Sequence, residues 1–353
     1  MTIPAPKQYS SVRRLLFQVP LLLLDVLGFN RLFRFLTRRH IRVLMYHGIA
    51  DMELGPSYWL MLSRSRFEWQ MSYLEGEFEV CPWACLLEQP STTPRSGQPR
   101  VVITFDDAFA NVLRNARPIL ERHSYPAVCF VIPDLSERGE EIWTTKMFRL
   151  LFESDLTHIA LKGPEPAGLS LPADRTLRKA AVSRYISSLK ARATSEIQLI
   201  LEQVSRICAS DDSSAVAREF ALMSIDEILS LRSTANFTIG THSNRHYSLS
   251  SLPAADQEAQ VATSIADLNR LGIEPAAVFA YPSGHFNADT INIMNKYGFK
   301  AALTNEEGLF HPGDDPLKIK RIAIGGDITR LEFKAQVSGA AYFLMRVLRP
   351  QGR

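Results

Sequence analysis

VVITFDDAFAN, residues 101–111, runs apolar and β-branched residues straight into two adjacent aspartates, Asp106 and Asp107. Such a run has the composition of a strand buried on both faces. Carboxylates are seldom buried unless they are paired or bound to a metal. The stretch therefore reads as a central strand with chemistry at its carboxyl end. A DD at this point could alternatively cap a helix.

Outward from it, the same grammar repeats. IRVLMY reads as a strand ending at His47, SRFEWQMSYLEG as a helix, and FEVC as a strand. QPSTTPRSGQP is a loop of turn-formers. NVLRNARPILERH is a helix and PAVCFVI a strand. Later come FTIG, a helix over QEAQVATSIADLNRLG, the strand AVFAYP, a helix over ADTINIMNKYG, then KAALT and IKRIAI. Strands alternating with helices predict an α/β protein of parallel β/α units. Residues of about 136–222 break the rhythm with helical patterns and a loop around KGPEPAGLSLPADR, which reads as a helical insertion. A last helix, LEFKAQVSGAAYFLMRVLR, closes the chain. The expected organisation is a helical segment at 1–39, the main domain at 40–330, and a C-terminal helix at 331–353.

The composition is globular, with 46% hydrophobic and 22% charged residues and a formal net charge of +3. No basic run marks a phosphate track, so nucleic-acid binding is not expected. Cys81, Cys85, Cys129 and Cys208 do not make a disulfide framework and read as reduced thiols. Near the amino terminus, Arg13 and Arg14 precede LLFQVPLLLLDVLGFNRLFRFL, which Arg38 and Arg39 follow. Asp25, Asn30, Arg31 and Arg34 interrupt this run before bilayer length, and no small-residue cleavage site follows it. An apolar helix with a basic rim over 11–39 either lies peripherally on an anionic membrane or packs on the protein itself. Pro20 is expected to bend or restart it. The expected location is cytoplasmic, with contact at the inner membrane face.

In parallel β/α folds, functional groups gather at strand carboxyl ends. Here these are His47, the aspartate pair, THSNRH at 241–246 and YPSGH at 281–285. His242 and His246, four apart, would face one way on a helical turn. Two histidines and one carboxylate make a three-ligand metal set with a position left for water.

Together these motifs resemble the polysaccharide deacetylase family, also called the NodB homology domain or carbohydrate esterase family 4. TFDDAF at 104–109 is similar to its TFDDG motif, HSNRH at 242–246 to its HSxxH motif, and FAYPSG at 279–284 to the FAYPYG form of one branch. That branch also opens with VLMYH, found at 43–47. The resemblance, covering about 41–324, implies a distorted (β/α) barrel. It implies that Asp107, His242 and His246 hold a divalent metal, zinc by expectation, with Asp106 as general base. His47 would be the general acid, since the family's carboxyl-terminal LxH is absent. Tyr281 and Ser283, in the YPSG loop, would border the substrate, with a backbone N–H meeting the oxyanion. Ala280 stands where much of the family has an arginine, Ser283 where an aromatic lines the sugar site, and Ala108 where the motif has glycine. Arg321 either replaces the missing arginine or is an edge-strand charge. Trp59, Trp83 and Trp143 either stack on sugars or belong to the core. The implied activity is removal of an N-acetyl group from an amino sugar in a polysaccharide or lipid-linked glycan precursor. The rivals are an inactive glycan-binding scaffold of the same fold and a hydrolase of a small non-sugar amide.

Overall fold

Seven short parallel strands close on themselves in chain order: β1 (Arg42–Tyr46), β2 (Arg100–Phe105), β3 (Ala127–Val131), β4 (Phe237–Thr241), β5 (Val278–Ala280), β6 (Ala301–Glu307) and β7 (Ile319–Ala323), which pairs back to β1. This is a computed structural model and describes residues 11–88, 97–161, 168–208 and 214–343. The barrel is one strand short of eight. A two-residue strand, Glu79–Val80, pairs beside the start of β2 without joining the closed ring.

β1, β2 and β3 are buried along their whole length, as a parallel sheet covered by helices requires. Alternation along the strands decides which way each residue points. Val101, Ile103 and Phe105 pack with Phe67, Met71, Ile228 and Phe333 of the surrounding helices. Val43, Val102, Val128, Phe130 and Ile319 pack with one another in a separate interior cluster. Continuing that phase, Met45, Thr104 and Arg321 share the inward register. So do the residues just beyond the strand ends, His47 and Asp106.

The barrel is distorted where β6 meets β7. Leu303 pairs with Ile319, but Glu307 pairs with Arg321, so β6 carries two extra residues over that interval. Such a bulge re-aims local groups, and it presents Thr304 and Asn305 to Arg321.

The insertion is mainly helical, with Trp143–Glu153, Arg175–Leu189 and Thr194–Cys208 packed around their own apolar cluster. The loop expected around KGPEPAGLSLPADR is partly a strand. Gly168–Ser170 pairs antiparallel with His158–Ala160, an alternation too short to show in the sequence. Residues 162–167 lie outside the described residues, as do 89–96 of the QPSTTPRSGQP loop.

The first helix runs unbroken over Ser11–Val26, through Pro20. A second, Phe29–Leu36, follows left-handed Gly28. Both pack on the helix Arg330–Ser338. Lys334 bonds Asp25 at 2.7 Å and Ser338 bonds Asn30 at 3.0 Å. Fully buried Arg42 ties this corner together, donating to the Val337, Thr37 and His40 carbonyls at 2.9, 2.7 and 2.7 Å. A cation among terminal helix carbonyls is favourably placed. The expected C-terminal helix is interrupted at Gly339, which adopts φ 91°. Residues 344–353 of that expectation lie outside the described residues. No helix among the described residues is long and apolar enough to cross a membrane.

Candidate metal centre

Burying Asp106 and Asp107 at 2% and 3% exposure demands compensation, and each aspartate obtains it differently. Arg321 donates to both oxygens of Asp106, Nη1 to Oδ1 at 2.7 Å and Nη2 to Oδ2 at 2.8 Å. The guanidinium is held in turn by the Thr304 carbonyl at 2.8 Å and Asn305 Oδ1 at 2.8 Å. Burial alone would raise the Asp106 carboxyl. The Arg321 charge, with His242 and His47, more than offsets it and holds the group below its ordinary range. Arg321 is thus no edge-strand charge: it is buried against the expected base.

Asp107 faces histidines instead. Its Oδ1 lies 3.5 Å from His242 Nε2 and 3.3 Å from His246 Nε2, yet accepts no hydrogen bond. One donor atom from each of these three residues falls within 4.8 Å of the others. Burial opposes the Asp107 charge, but His246 and His242 pull the carboxyl well below its usual value. Neither aspartate caps a helix.

The histidines are oriented for ligation. His242 Nδ1 lies 2.7 Å from the Ala280 carbonyl. A carbonyl can only accept, so Nδ1 carries the proton and the Nε2 lone pair faces Asp107. Burial would lower the His242 ring, but Asp107 and Asp106 raise it above the ordinary value. Burial lowers His246 to about 4 against the pull of Asp107, with His242 and Lys190 adding to the lowering. That ring is neutral near pH 7, the form a metal ligand needs. The helical turn expected for THSNRH does not form. The loop after β4 is irregular, with Ser243 at φ 64° and His246 at φ 58°, and these reversals bring the ring centroids to 4.9 Å.

Among the described residues six non-glycine residues have positive φ, and five lie here: Asp107, Ala108, Ser243, His246 and Ser283. Each such conformation costs on the order of 1–3 kcal/mol. Their concentration marks a built site. An orphaned buried carboxylate oxygen, two inward imidazole nitrogens and the hard–borderline donor set all fit a divalent ion such as zinc.

His47 reaches the same cluster from the end of β1. It is 8% exposed, its Nδ1 has no partner, and its ring meets Trp59 edge-on at 5.5 Å. Burial lowers its basicity although Asp107 and Asp106 oppose this. Tyr281, in contrast, is turned away. Its hydroxyl donates to the Leu317 carbonyl at 3.0 Å, its N–H to the Leu303 carbonyl at 3.0 Å, and its ring stacks on Phe286. Neither of its donors is available to an oxyanion, because the ladder from β5 to β6 has consumed the backbone one. Ser283 does face the site region, where Lys190 Nζ donates to its hydroxyl at 3.0 Å. His285 is half-buried beside it, Nδ1 3.3 Å from Ser248 Oγ. Trp143 and Trp83 belong to apolar clusters. Sequence reasoning missed Lys190, Asn305 and Trp59's contact with His47. Asn305 was detectable only through the β6 bulge, and Lys190 carries no motif.

A sequence model of the polysaccharide deacetylase family matches residues 215–302, a span that includes both histidines. No curated protein matches the sequence. Among solved structures, the Streptococcus pyogenes deacetylase PplD in complex with acetate is similar at TM-score 0.51 and 18% identity, over 84% of this chain and 97% of that one. IcaB from Ammonifex degensii aligns at TM-score 0.53 and 18% identity, over 85% of this chain and 95% of that one. A de-N-acetylase from Aggregatibacter actinomycetemcomitans gives TM-score 0.50 and 15% identity over 84% and 98%. The fold is the NodB-type distorted (β/α) barrel. Over the matched span 215–302, about a quarter of the chain, the sequence is similar to the polysaccharide deacetylase family.

Proposed function

We propose that this chain removes an N-acetyl group from an amino sugar, in a polysaccharide or a lipid-linked glycan precursor, using a divalent metal held by Asp107, His242 and His246. The observation that carries the reading is the pair of adjacent aspartates with separate partners, Asp106 on Arg321 and Asp107 among histidines. A bound divalent ion supplies Lewis acidity, polarising the amide carbonyl and acidifying water. Asp106 accepts the proton of the attacking water, and the Arg321 fork fixes the plane from which it does so. His47 donates a proton to the departing amine; a buried imidazolium gives its proton up readily. The bond broken is the amide C–N, and the products are acetate and a free amine.

We further propose that residues 11–39 rest on an anionic bilayer, which brings a lipid-linked substrate within reach. Leu21 packs inward at 3% exposure, while Val26, Leu27, Phe35 and Leu36 are exposed by 59–73%. That solvent-facing apolar strip, with Arg31 and Arg39 exposed beside it, supports interfacial contact. Fractionation tests location at the inner membrane face; release without salt or detergent would count against it.

The deciding experiment measures metal in purified wild type, Asp107→Ala and His242→Ala, then acetate release from N-acetylated sugars with Asp106→Asn as control. About one equivalent lost in the ligand variants, and acetate release lost but metal kept in Asp106→Asn, is the expected result. Wild type that takes up no metal when supplied with zinc would sink the reading.

A further inference from the structure

The helix Arg175–Leu189 lies in the insertion, and its capping residue Lys190 turns toward the barrel. Lys190 Nζ donates to Ser283 Oγ at 3.0 Å, at the end of the segment that follows β5. The ammonium interacts electrostatically with Asp107, His246 and His285. It is half-buried, and burial lowers its basicity against the opposing charge of Asp107.

The other cations nearby are neutralised. Arg321 is paired with Asp106, and Arg245 lies 3.0 Å from both Asp134 and Glu140. Among the described residues no carboxylate forms an ion pair with Lys190. The acidic group that acts on it, among the described residues, is Asp107, which faces the two histidines. A half-buried ammonium hydrogen-bonded only to a hydroxyl keeps donors free for a ligand that brings negative charge.

We infer that Lys190 and Ser283 form a cationic subsite beside the reacting amide, and that the sugar this chain takes carries an anionic oxygen group, a carboxylate or a phosphate, near its N-acetyl group. The inference rests on the deacetylase reading for the amide but concerns a separate contact. The insertion thereby sets specificity at the place where Ser283 replaces an aromatic. A hydroxyl and an ammonium bind a charged oxygen group, whereas an aromatic face stacks on a neutral sugar.

The test is calorimetric binding to the full-length chain reconstituted with zinc. The probes are N-acetylglucosamine, N-acetylmuramic acid, which adds a carboxylate, and N-acetylglucosamine 1-phosphate. Wild type should bind one of the anionic sugars about tenfold more tightly than the neutral one, and which one it prefers separates carboxylate from phosphate. Lys190→Met should bring that sugar to the affinity of the neutral one with metal content unchanged, and Lys190→Arg should retain a preference. Equal or absent binding of the anionic sugars in wild type would overturn the inference. A preference that survives in Lys190→Met would do the same, leaving Lys190 as a latch between insertion and barrel. Failure of the deacetylase reading looks different: no acetate from any probe while the charge preference persists.

Discussion

Arg321 and Asp106 meet through two parallel hydrogen bonds, 2.7 and 2.8 Å, with both side chains almost wholly buried. The arginine approaches from the last barrel strand, so closure of the barrel itself delivers the partner of the expected base.

Arg321→Met leaves a buried carboxylate unpaired, and loss of one partner of such a pair costs about 3–5 kcal/mol. Chemical denaturation should show that loss, and acetate release should fall by at least about a hundredfold. Arg321→Lys keeps the charge but not the fork, and should recover more of the stability than of the activity. Normal activity in Arg321→Met would remove Asp106 from the reaction.

Metal occupancy should be visible as stability. Zinc at about a thousandfold excess over its dissociation constant contributes about 4 kcal/mol to the folded state. The melting temperature should therefore rise with zinc and fall with EDTA in wild type. Asp107→Ala and His242→Ala should show no such difference.

Asp25 reports on the terminal helices. Burial would raise its carboxyl, but hydrogen bonds from Lys334 and Asn30 leave it below the ordinary value. A depressed folded-state pKa means its contribution is fully present above the unfolded pKa, about 3.9, and is lost as pH falls through the lower folded value. Both side chains are about a quarter exposed, so the contribution is no more than about 1 kcal/mol. Asp25→Asn should melt lower than wild type at pH 7, and the two curves should converge as pH falls through the lowered folded-state value of Asp25.

Gly325→Ala tests the wall behind His47. A Cβ there would meet the Trp59 indole nitrogen at 2.0 Å, forcing the indole off its edge contact with the His47 ring. Acetate release should fall with metal content unchanged. An unaltered rate would mean that Trp59 does not position His47.

The barrel was legible because parallel strands write themselves as uninterrupted apolar runs, and because VVITF and VLMY stop at polar groups in the inward register. Asp107, His242 and His246 were legible by residue type and spacing, though for a mistaken local reason: left-handed residues, not a helical turn, bring the two rings together. The orientation of Tyr281 was hidden, since nothing in AYPSG says that the ladder takes its N–H and Leu317 its hydroxyl. The glycines of IAIGGD carry a meaning visible only in three dimensions. A Cβ on Gly326 would strike the Met61 carbonyl oxygen at 2.2 Å. Lys190 was out of reach for the same reason, lying 93 residues from the serine it bonds.

His242 follows a barrel strand, while Tyr247, the neighbour of His246, is buried in the apolar cluster of the insertion and bonded to Gln198. The loop of residues 242–246 is a bridge with one foot in each hydrophobic core. Ala108 and Ala110, flanking Phe109 after the aspartates, exchange backbone hydrogen bonds with Met223 and Ala221 at the insertion's exit, both at 2.9 Å. An ion gripped by Asp107, His242 and His246 would therefore act as a rivet through two separately packed bodies. Pulling it out would loosen the seam between them before it loosened either body.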